Sequence, residues 1–544
     1  MSPHSLVGSH IDGPPFEDTT FAGANGFHAA PATNGQVPAK SSLLKPTSAS
    51  DEFDLICVGF GPASLAIAVA LNDALENGSL SNAPKVLFLE KQTHFKWHSG
   101  MLLPGAKMQI SYIKDLATLR DPRSHFTFMN FLHKNGRLVD FINLGTFLPA
   151  RVEYEEYMRW CAEHFEDVVL YGQEVVSVSP QTSSAAPNKN PISQFSVTSR
   201  TLKSGEVTTY SAKNVLVAVG GTPNIPKSLP ANHPKIIHSS QYINLIPKIL
   251  TDRNAAYRVA VIGAGQSAAE IFSNLQELYP NSSTSMVMRA EFLKPSDDSP
   301  FVNCIFNPEY IDSLYPRSTS QRMAVLKDAR ATNYAVVRLE LIEKLFGVMY
   351  HQKRVLGPDE RKWPHRIMGL TEVLGLESDD FDQEKLKLRI RSLRELDFFD
   401  GSDSGCSVDG HSEAGDETLE VDLIIAATGY QRTQHLQMME DVGPLLPEKV
   451  QSPLEKVSAP NGAVAVDFKN GSAGLEQRTM EVARDYSVRF APGKVAPGSG
   501  IYLQGCNEKT HGLSDTLLSV LATRSGEMVE TLFGAKAKAG FQKK

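Results

Sequence analysis

Two glycine-rich turns, each directly after a short apolar run and directly before a helical pattern, constrain the fold of this chain most. The first is Gly59-Phe-Gly-Pro-Ala-Ser64, and the second is Gly263-Ala-Gly-Gln-Ser-Ala268. In such a turn the first glycine permits a tight bend, the second lets a pyrophosphate approach the backbone, and the helix N-terminus supplies N–H groups. Ser64 occupies the third glycine position of the first turn and departs from the full motif. Ala268 occupies the same position of the second turn, where alanine is a permitted variant. One copy alone could be a plain strand-to-helix turn, but two copies predict two dinucleotide sites.

Apolar runs alternate with helical patterns along the chain, which is typical of α/β proteins with parallel strands. The strands predicted in this way span residues 54–58, 85–90, 215–219, 258–262, 285–288 and 423–427. Glycine turns follow two of them, at Val219-Gly-Gly221 and Ala427-Thr-Gly-Tyr430. We therefore predict an α/β fold with two Rossmann-like dinucleotide-binding domains.

The predicted domain limits follow from this repetition. Residues 1–50 are rich in Gly, Pro, Ser, Ala and Asn, which predicts a disordered tail. The first dinucleotide-binding domain comprises 51–250 and a C-terminal part at 421–535, the second comprises 251–420, and 536–544 form a second tail. Polar stretches at 181–190, 400–417 and 447–477 predict surface insertions without chemistry.

The residue at the tip of the second strand of each domain indicates which nucleotide binds there. Glu90 can accept hydrogen bonds from ribose hydroxyls that carry no 2′-phosphate, as in FAD or NAD. Arg289 can instead bind a 2′-phosphate. FAD in the first domain and NADPH in the second is the economical assignment, although either residue could be a solvated charge at a strand end.

Such a pair of cofactors moves hydride from nicotinamide to flavin. The next electron acceptor is molecular oxygen or an external molecule, because a redox-active C-x-x-C pair is absent from the sequence.

Composition argues against nucleic-acid binding, metal binding and membrane insertion. The 544 residues include 54 basic and 61 acidic residues without a dense basic stripe, which argues against a nucleic-acid partner. The five cysteines form no C-x-x-C pair, so we predict no metal site. An apolar run of the ~18 residues that a membrane span needs is also missing, and the first fifty residues lack a signal-peptide core. We expect a cytoplasmic protein without membrane contacts.

Further strings resemble the flavin-dependent N-hydroxylating monooxygenases, and in particular the L-ornithine N5-monooxygenases of fungal siderophore biosynthesis. The resemblance covers about residues 52–535 outside the polar insertions. It implies that 51–250 with 421–535 form the FAD-binding domain and 251–420 the NADPH-binding domain, with a smaller, mostly helical substrate-binding region inserted at about 290–350. It depends on Gly59-x-Gly-Pro-x-x-Leu65 and on the segments 97–101, 108–116, 119–124, 265–270, 295–301, 427–430 and 511–519.

The resemblance implies N5-hydroxylation of L-ornithine by NADPH and O2 through a flavin C4a-hydroperoxide, in a homotetramer, for hydroxamate siderophores. Such chemistry requires a dry cavity over the flavin. It also requires a neutral amine, whose unperturbed pKa lies near ~10.4. The residues do not show which group takes that proton.

The family's binding residues fall on definite positions of this sequence. Those for FAD are Gly59, Gly61, Pro62, Ser64, Glu90, Lys91, Phe95, Trp97, His98, Met108 beside the isoalloxazine, Gln109, Val175, Thr516, Leu517 and Leu518. Those for NADPH are Gly263, Ala264, Gly265, Gln266, Ser267, Arg289, Asn333, Tyr334 and Ala335. Those for ornithine are Lys114, Asn303, Phe306, Asn333 and Ser519. Of these, Lys114 can pair with the α-carboxylate, and the amides and the hydroxyl can serve the two amines.

Several alternatives stay open. Lys114 could be a surface lysine, Asn303, Asn333 and Ser519 could be satisfied polar groups, and His98 and His511 could be structural rather than catalytic bases. An L-lysine N6-hydroxylase of the same family would differ by one methylene of substrate. A carbon- or sulfur-oxidising flavin monooxygenase would carry F-x-G-x-x-x-H, which is absent before His238. A non-catalytic redox sensor would keep the glycine turns and lose the substrate ligands.

Overall fold

The computed structural model describes residues 42–181, 190–377, 385–393, 416–448, 464–469 and 475–534. Its strands are β1 (Glu52–Val58), β2 (Val86–Glu90), β3 (Val169–Tyr171), β4 (Gln173–Pro180), β5 (Phe195–Thr201), β6 (Val207–Val217), β7 (Thr222–Pro223), β8 (Ile236–His238), β9 (Arg258–Ile262), β10 (Ser283–Val287), β11 (Lys294–Pro295), β12 (Val336–Val337), β13 (His365–Met368), β14 (Thr371–Leu376), β15 (Leu386–Ser392), β16 (Asp416–Val421), β17 (Leu423–Ala426), β18 (Tyr430–Gln431), β19 (Val464–Lys469), β20 (Leu475–Met480) and β21 (Gly500–Leu503). Its α-helices are α1 (Pro62–Glu76), α2 (Phe128–Lys134), α3 (Leu138–Asn143), α4 (Arg151–Glu163), α5 (Tyr242–Ile249), α6 (Gln266–Leu278), α7 (Pro300–Asn303), α8 (Tyr310–Leu314), α9 (Thr319–Asp328), α10 (Leu339–Leu356), α11 (Gln434–Met438), α12 (Glu508–His511) and α13 (Leu521–Phe533).

The larger sheet combines strands from both ends of the chain. Its order is β3-β2-β1-β6-β5-β4, and β21 also pairs with β6. The pairs around β1, β2, β3, β6 and β21 are parallel, whereas β6–β5 and β5–β4 are antiparallel. Leu65 on α1, Tyr157 on α4 and Met528 on α13 share a buried core with Phe88 of β2. The C-terminal segment therefore completes the domain that the first glycine turn begins.

The second sheet is entirely parallel, with the order β13-β10-β9-β17-β8. Phe272 of α6 packs on one face with Val261, and Leu388 of the antiparallel β14-β15-β16 sheet packs on the other face with Ile424. Two of its strands fall outside the predicted limits of 251–420, since β8 precedes them and β17 follows them. A short apolar run does not itself reveal which sheet it joins, so the predicted boundaries at 250 and 420 were wrong for these strands.

The chain crosses between the two sheets twice, and the crossing segments pair with each other. β7 and β18 are antiparallel neighbours, and the Asn224 N–H donates to Gly429 O at 3.0 Å. The two glycine turns noted in the sequence, at Gly220-Gly221 and Gly429, therefore lie together at the junction.

The predicted α/β class with two Rossmann-like units is confirmed, and the segment 300–332, which lies between β11 and β12, is mostly helical. Part of the predicted insertion at 447–477 forms the β19–β20 hairpin. Residues 1–41 and 536–544 of the predicted tails lie outside the described residues, as do 182–189, 400–415, 449–463 and 470–474 of the predicted insertions. Among the described helices, none is long and apolar enough to cross a membrane.

The end of the predicted N-terminal tail packs on the protein body, which corrects the limit at residue 50. Leu44 is 1% exposed and belongs to the first core. The Ser42 N–H donates to His164 O at 3.1 Å, and the Leu43 N–H donates to Asn72 Oδ1 at 2.8 Å. Two leucines, Leu43 and Leu44, in an otherwise polar stretch were too weak a signal to predict this contact.

Candidate active site

Both glycine turns have the geometry that the motif requires. Gly59 has φ +89°, and a Cβ there would lie 2.7 Å from Ala218 O. Gly263 has φ +142°, and a Cβ there would lie 2.4 Å from Ala427 O. Helices α1 and α6 then begin after Gly61 and Gly265, neither of which can cap them with a side chain. The first-turn N–H groups of both helices are therefore suited to a phosphate ligand.

A cavity of about 460 Å³ opens at the carboxyl ends of β1 and β2, next to the junction of the two sheets. The residues on its wall that the sequence predicts for FAD are Gly59, Gly61, Pro62, Glu90, Lys91, Trp97, His98, Val175, Thr516, Leu517 and Leu518. The volume is within the usual range for cofactor sites of ~300 to 1,000 Å³. An uncapped helix N-terminus and a carboxylate on one wall fit the pyrophosphate and ribose of a flavin dinucleotide.

Glu90 is held in place by the backbone of the first glycine turn. Its carboxylate is 8% exposed and accepts the Phe60 N–H at 2.6 Å and the Gln92 N–H at 2.7 Å. These two bonds fix the carboxylate on the cavity wall, where the sequence analysis expects a ribose.

Four residues predicted for FAD are not on this wall. Ser64 and Phe95 are buried beneath it, and the Phe95 ring packs 6.3 Å from that of Phe60. Met108 is buried in the same core, and Gln109 is exposed. The wall also includes polar residues that were not predicted from the sequence, among them Ser240, Tyr430, Arg432, Gln504, Asp515 and Arg524. Tyr430 and Asp515 stand inside motifs already recognised, but Arg432 and Arg524 follow no local pattern.

A buried ion pair holds the C-terminal segment against the cavity. Arg524 Nη1 donates to Asp515 O at 2.8 Å and to Asp515 Oδ1 at 3.0 Å, and both side chains are almost fully buried. Asp515 Oδ2 also accepts the Asn507 N–H at 2.7 Å. This arrangement positions Thr516, Leu517 and Leu518, because they directly follow the anchored aspartate.

The two candidate histidines have different surroundings. His98 lines the cavity in a left-handed conformation with φ +47°, and enclosure by protein, with smaller effects from Arg151 and Arg432, lowers its pKa to about 4. His511 is fully buried, stacks on Tyr486 and bonds through its two ring nitrogens to the Thr510 hydroxyl and to Arg484 O. These contacts give His511 a structural role.

The residues predicted for NADPH gather around the start of α6. Gln266 Oε1 accepts the Arg338 N–H, its amide donates to Glu270, and Glu270 forms a two-bond ion pair with Arg151 at 2.9 Å for each bond. Ala264, Gly265 and Ser267 belong to the same turn, and Ala335 lies beside Gly265 in a left-handed conformation, with φ +56°. Gln266 also lines a second cavity of about 470 Å³ between α6 and α10.

Arg289 lies just beyond the carboxyl end of β10. Its side chain is 79% exposed, and its Nη2 lies 4.0 Å from Glu372 Oε2. The guanidinium is therefore available to a ligand at this edge of the sheet.

The residues predicted for ornithine occupy neighbouring segments. Lys114 is half-buried, burial lowers its pKa, and the nearby Cys304 raises it by a smaller amount. Asn303 donates to Asp298 O at 2.7 Å, and the turn Cys304–Phe306 packs against the turn Leu513–Thr516. Asn333 precedes Tyr334 at the end of the helical region. Ser519 is 2% exposed, and its hydroxyl has no partner among the described residues.

Residues 51–432 match the family model described as L-lysine 6-monooxygenase/L-ornithine 5-monooxygenase. The chain belongs to this family. Over 501 residues, this lysine/ornithine monooxygenase is 57% identical to an L-ornithine N(5)-monooxygenase of Beauveria bassiana, covering 91% of this chain and 89% of that one.

Solved structures show the same relationship. An ornithine hydroxylase from Pseudomonas aeruginosa superposes with a TM-score of 0.72 at 34% identity, covering 89% of this chain and 99% of that one. An ornithine N-hydroxylase from Kutzneria sp. 744, solved with reduced FAD, NADP+ and L-ornithine, gives 0.71 at 30% identity with the same coverage. The family resemblance carried by the sequence motifs is thereby confirmed.

Proposed function

We propose that this protein hydroxylates the side-chain nitrogen of L-ornithine with NADPH and O2, and that N5-hydroxy-L-ornithine serves hydroxamate siderophore biosynthesis. The observation that carries the proposal is the cavity at the first glycine turn, lined by the residues that the family pattern assigns to FAD. The high identity to an L-ornithine N(5)-monooxygenase supports ornithine over lysine.

The chain's own residues hold the cofactors. The N-terminus of α1 receives the pyrophosphate, and Glu90 receives the ribose. The segment anchored by the Asp515–Arg524 pair covers the flavin and keeps water out. Bound FAD, reduced by NADPH, supplies the oxygen activation. Arg289 binds the 2′-phosphate of NADPH at the edge of the second sheet.

Ornithine binds between the helical region and the C-terminal segment. The Lys114 ammonium pairs with the α-carboxylate, and the amides of Asn303 and Asn333 bind the α-amine. The Ser519 hydroxyl, which has no partner among the described residues, binds the side-chain amine, while Phe306 contributes an apolar wall.

A product assay tests the proposal. Purified protein loaded with FAD is given NADPH and air with ornithine, lysine or no amine, and NADPH consumption, hydrogen peroxide and hydroxylated amine are measured. Ornithine should be hydroxylated with kcat/KM about 10- to 100-fold above that of lysine, since one methylene is worth ~1 to 3 kcal/mol. A preference for lysine would establish the other activity of the family. Binding of both nucleotides without any hydroxylated product would establish a redox sensor.

The homotetramer and the cytoplasmic location expected from the sequence stay proposals. Light scattering of the purified protein measures the first, and fluorescence imaging of the tagged protein in its native cell measures the second.

A further inference from the structure

Helix α10 packs on the core of the second parallel sheet with one side and exposes large side chains on the other. Leu345 is buried in that core, together with Phe272 of α6. On the outer side, Leu339, Phe346 and Tyr350 are each more than half exposed. Apolar surface that is concentrated in one exposed place marks an interaction site on a soluble protein. The outer side of α10 is therefore a candidate contact surface.

Five outer residues of α10 lie along one line of the helix, which we call the α10 stripe. They follow each other at alternating intervals of four and three residues, and they are Leu339, Glu343, Phe346, Tyr350 and Lys353. Such intervals keep side chains on one face of a helix, as in coiled coils. The stripe therefore has the spacing that packing against another helix requires.

The stripe is complementary to its own reversed sequence. In an antiparallel helix pair related by a two-fold axis, residues at equal distances before and after the axis face each other. Relative to an axis level with Val348, Phe346 lies two residues before and Tyr350 two residues after. Glu343 lies five residues before this axis, and Lys353 lies five residues after it. Ring therefore meets ring, and acid meets base, between two copies of α10.

The ends of the stripe match about the same axis. Leu339 lies nine residues before Val348, and Gly357 lies nine residues after it. The neighbour of Gly357 is Leu356, whose side chain is exposed. An apolar side chain therefore meets apolar surface at each end of the pair.

The two charged residues of the stripe are available to a partner. The Glu343 and Lys353 side chains are exposed and form no ion pair within the described part of the chain, whereas Lys344 of the same helix pairs with Glu277. A parallel pair of α10 helices would place like residues side by side, and like charges in contact oppose association. The charges therefore favour the antiparallel arrangement.

We propose that the α10 stripe is a contact site for a second copy of this chain, which packs its own stripe antiparallel around a two-fold axis level with Val348. Phe346 and Tyr350 form the apolar centre of the contact, and a Glu343–Lys353 ion pair closes each side. This inference concerns assembly alone, and the proposed hydroxylation does not rest on it.

Charge reversal tests which residues face each other. The masses of Glu343→Lys, Lys353→Glu and the double variant are measured by sedimentation equilibrium over a series of concentrations. Each single reversal should weaken association at least about tenfold, because it creates two like-charge pairs. The double variant should return to within about threefold of the wild type, since opposite charges face each other again. Lys248→Glu on α5, an equal change in net charge at an exposed site, should match the wild type.

Removal of the rings tests the apolar centre. The double variant Phe346→Ala/Tyr350→Ala should associate at least about tenfold more weakly, because aromatic side chains at the centre of a contact contribute most of its affinity. Its circular dichroism and FAD content should equal those of the wild type, since both rings are more than half exposed within one chain. Leu202→Ala, at an exposed leucine that follows β5, is the control and should leave the mass unchanged.

Disulfide formation tests the direction of the pair. Under oxidising conditions, a chain with both Glu343→Cys and Lys353→Cys should form a covalent dimer. Neither single cysteine variant should exceed the wild type, whose exposed Cys304 sets the background. In the antiparallel pair, the two copies of residue 343 are ~15 Å apart along the helix axes, since each residue rises ~1.5 Å. That separation is too long for a disulfide.

Four outcomes would overturn the proposal. The first is a wild type that stays monomeric over the whole series, which would mean that another partner covers the stripe. The second is an oligomer whose mass neither single reversal changes. The third is a double reversal that fails to restore the wild-type mass. The fourth is efficient cross-linking of a single cysteine variant, which would mean a parallel pair. The product assay of hydroxylation is read separately, so failure of this contact and failure of the proposed function are distinguishable.

Discussion

Arg289 shows how one side chain can select a nucleotide. Its guanidinium is 79% exposed at the carboxyl end of β10, where an NAD site would place a carboxylate. Arg289→Ala should weaken NADPH about 10- to 100-fold and leave NADH nearly unchanged, because a charge-assisted bond of ~1.5 to 3 kcal/mol is lost. Arg361→Ala is the matched control, since this exposed arginine precedes the amino end of the neighbouring parallel strand β13. Equal losses of NADPH and NADH in Arg289→Ala would refute the assignment.

A variant of Lys114 tests whether this residue binds the substrate or takes part in flavin reduction. Its ammonium is half-buried, and its backbone carbonyl accepts the Tyr154 hydroxyl at 3.1 Å. Lys114→Ala should raise the ornithine KM by roughly one to two orders of magnitude, because the α-carboxylate loses its ion pair, ~1.5 to 3 kcal/mol. NADPH consumption should continue with peroxide as its product, and Lys248→Ala on α5 should behave as wild type. If flavin reduction collapses while FAD stays bound, Lys114 belongs to the redox site instead.

At the scale of elements, the glycine turns explain why part of the fold could be predicted. β1 and β9 each end in a four-residue apolar run, 55–58 and 259–262, that is followed directly by glycine. Each run therefore predicted the helix that follows it and the edge of the sheet where a ligand binds. Strand partners carry no such local signal. Whether β8 joins the first or the second sheet depends on contacts with β17, which follows it by more than 180 residues. For the same reason Arg432 and Arg524, which reach the cavity from distant segments, could not be predicted from sequence.

The second glycine turn provides a prediction at the scale of an element. Gly263→Ala would place a Cβ 2.4 Å from Ala427 O at φ +142°, so β9, β17 and the start of α6 must shift. NADPH binding should fall at least about tenfold while FAD stays bound, with a lower midpoint of urea unfolding. Gly347→Ala is the control, because this glycine lies within α10 and a Cβ there meets nothing within 4 Å. It should leave NADPH binding unchanged and raise stability by ~0.5 to 1 kcal/mol. Equal effects of both substitutions would contradict the close contact at Gly263.

At the scale of the whole molecule, the composition of the first fifty residues predicted a disordered tail, but the end of that segment packs on the protein body. Leu44 is 1% exposed in the core that includes α1 and α4, whereas the adjacent Leu43 is 37% exposed. Deletion of residues 1–48 should therefore lower the free energy of unfolding by ~3 to 5 kcal/mol. Loss of a buried leucine costs ~2 to 5 kcal/mol, and the bonds to His164 O and Asn72 Oδ1 are lost as well.

Point variants of the full chain distinguish the contribution of Leu44 packing to stability from any effect of shortening the chain. Leu44→Ala should reproduce most of the loss in urea unfolding, and Leu43→Ala should cost less than about 1 kcal/mol, because its side chain already meets solvent. Deletion of residues 1–40 should leave ornithine hydroxylation within about twofold and the unfolding midpoint unchanged, since Leu44 and both hydrogen bonds remain. A deletion of residues 1–48 that is as stable as the full chain would show that Leu44 adds nothing to the core it contacts.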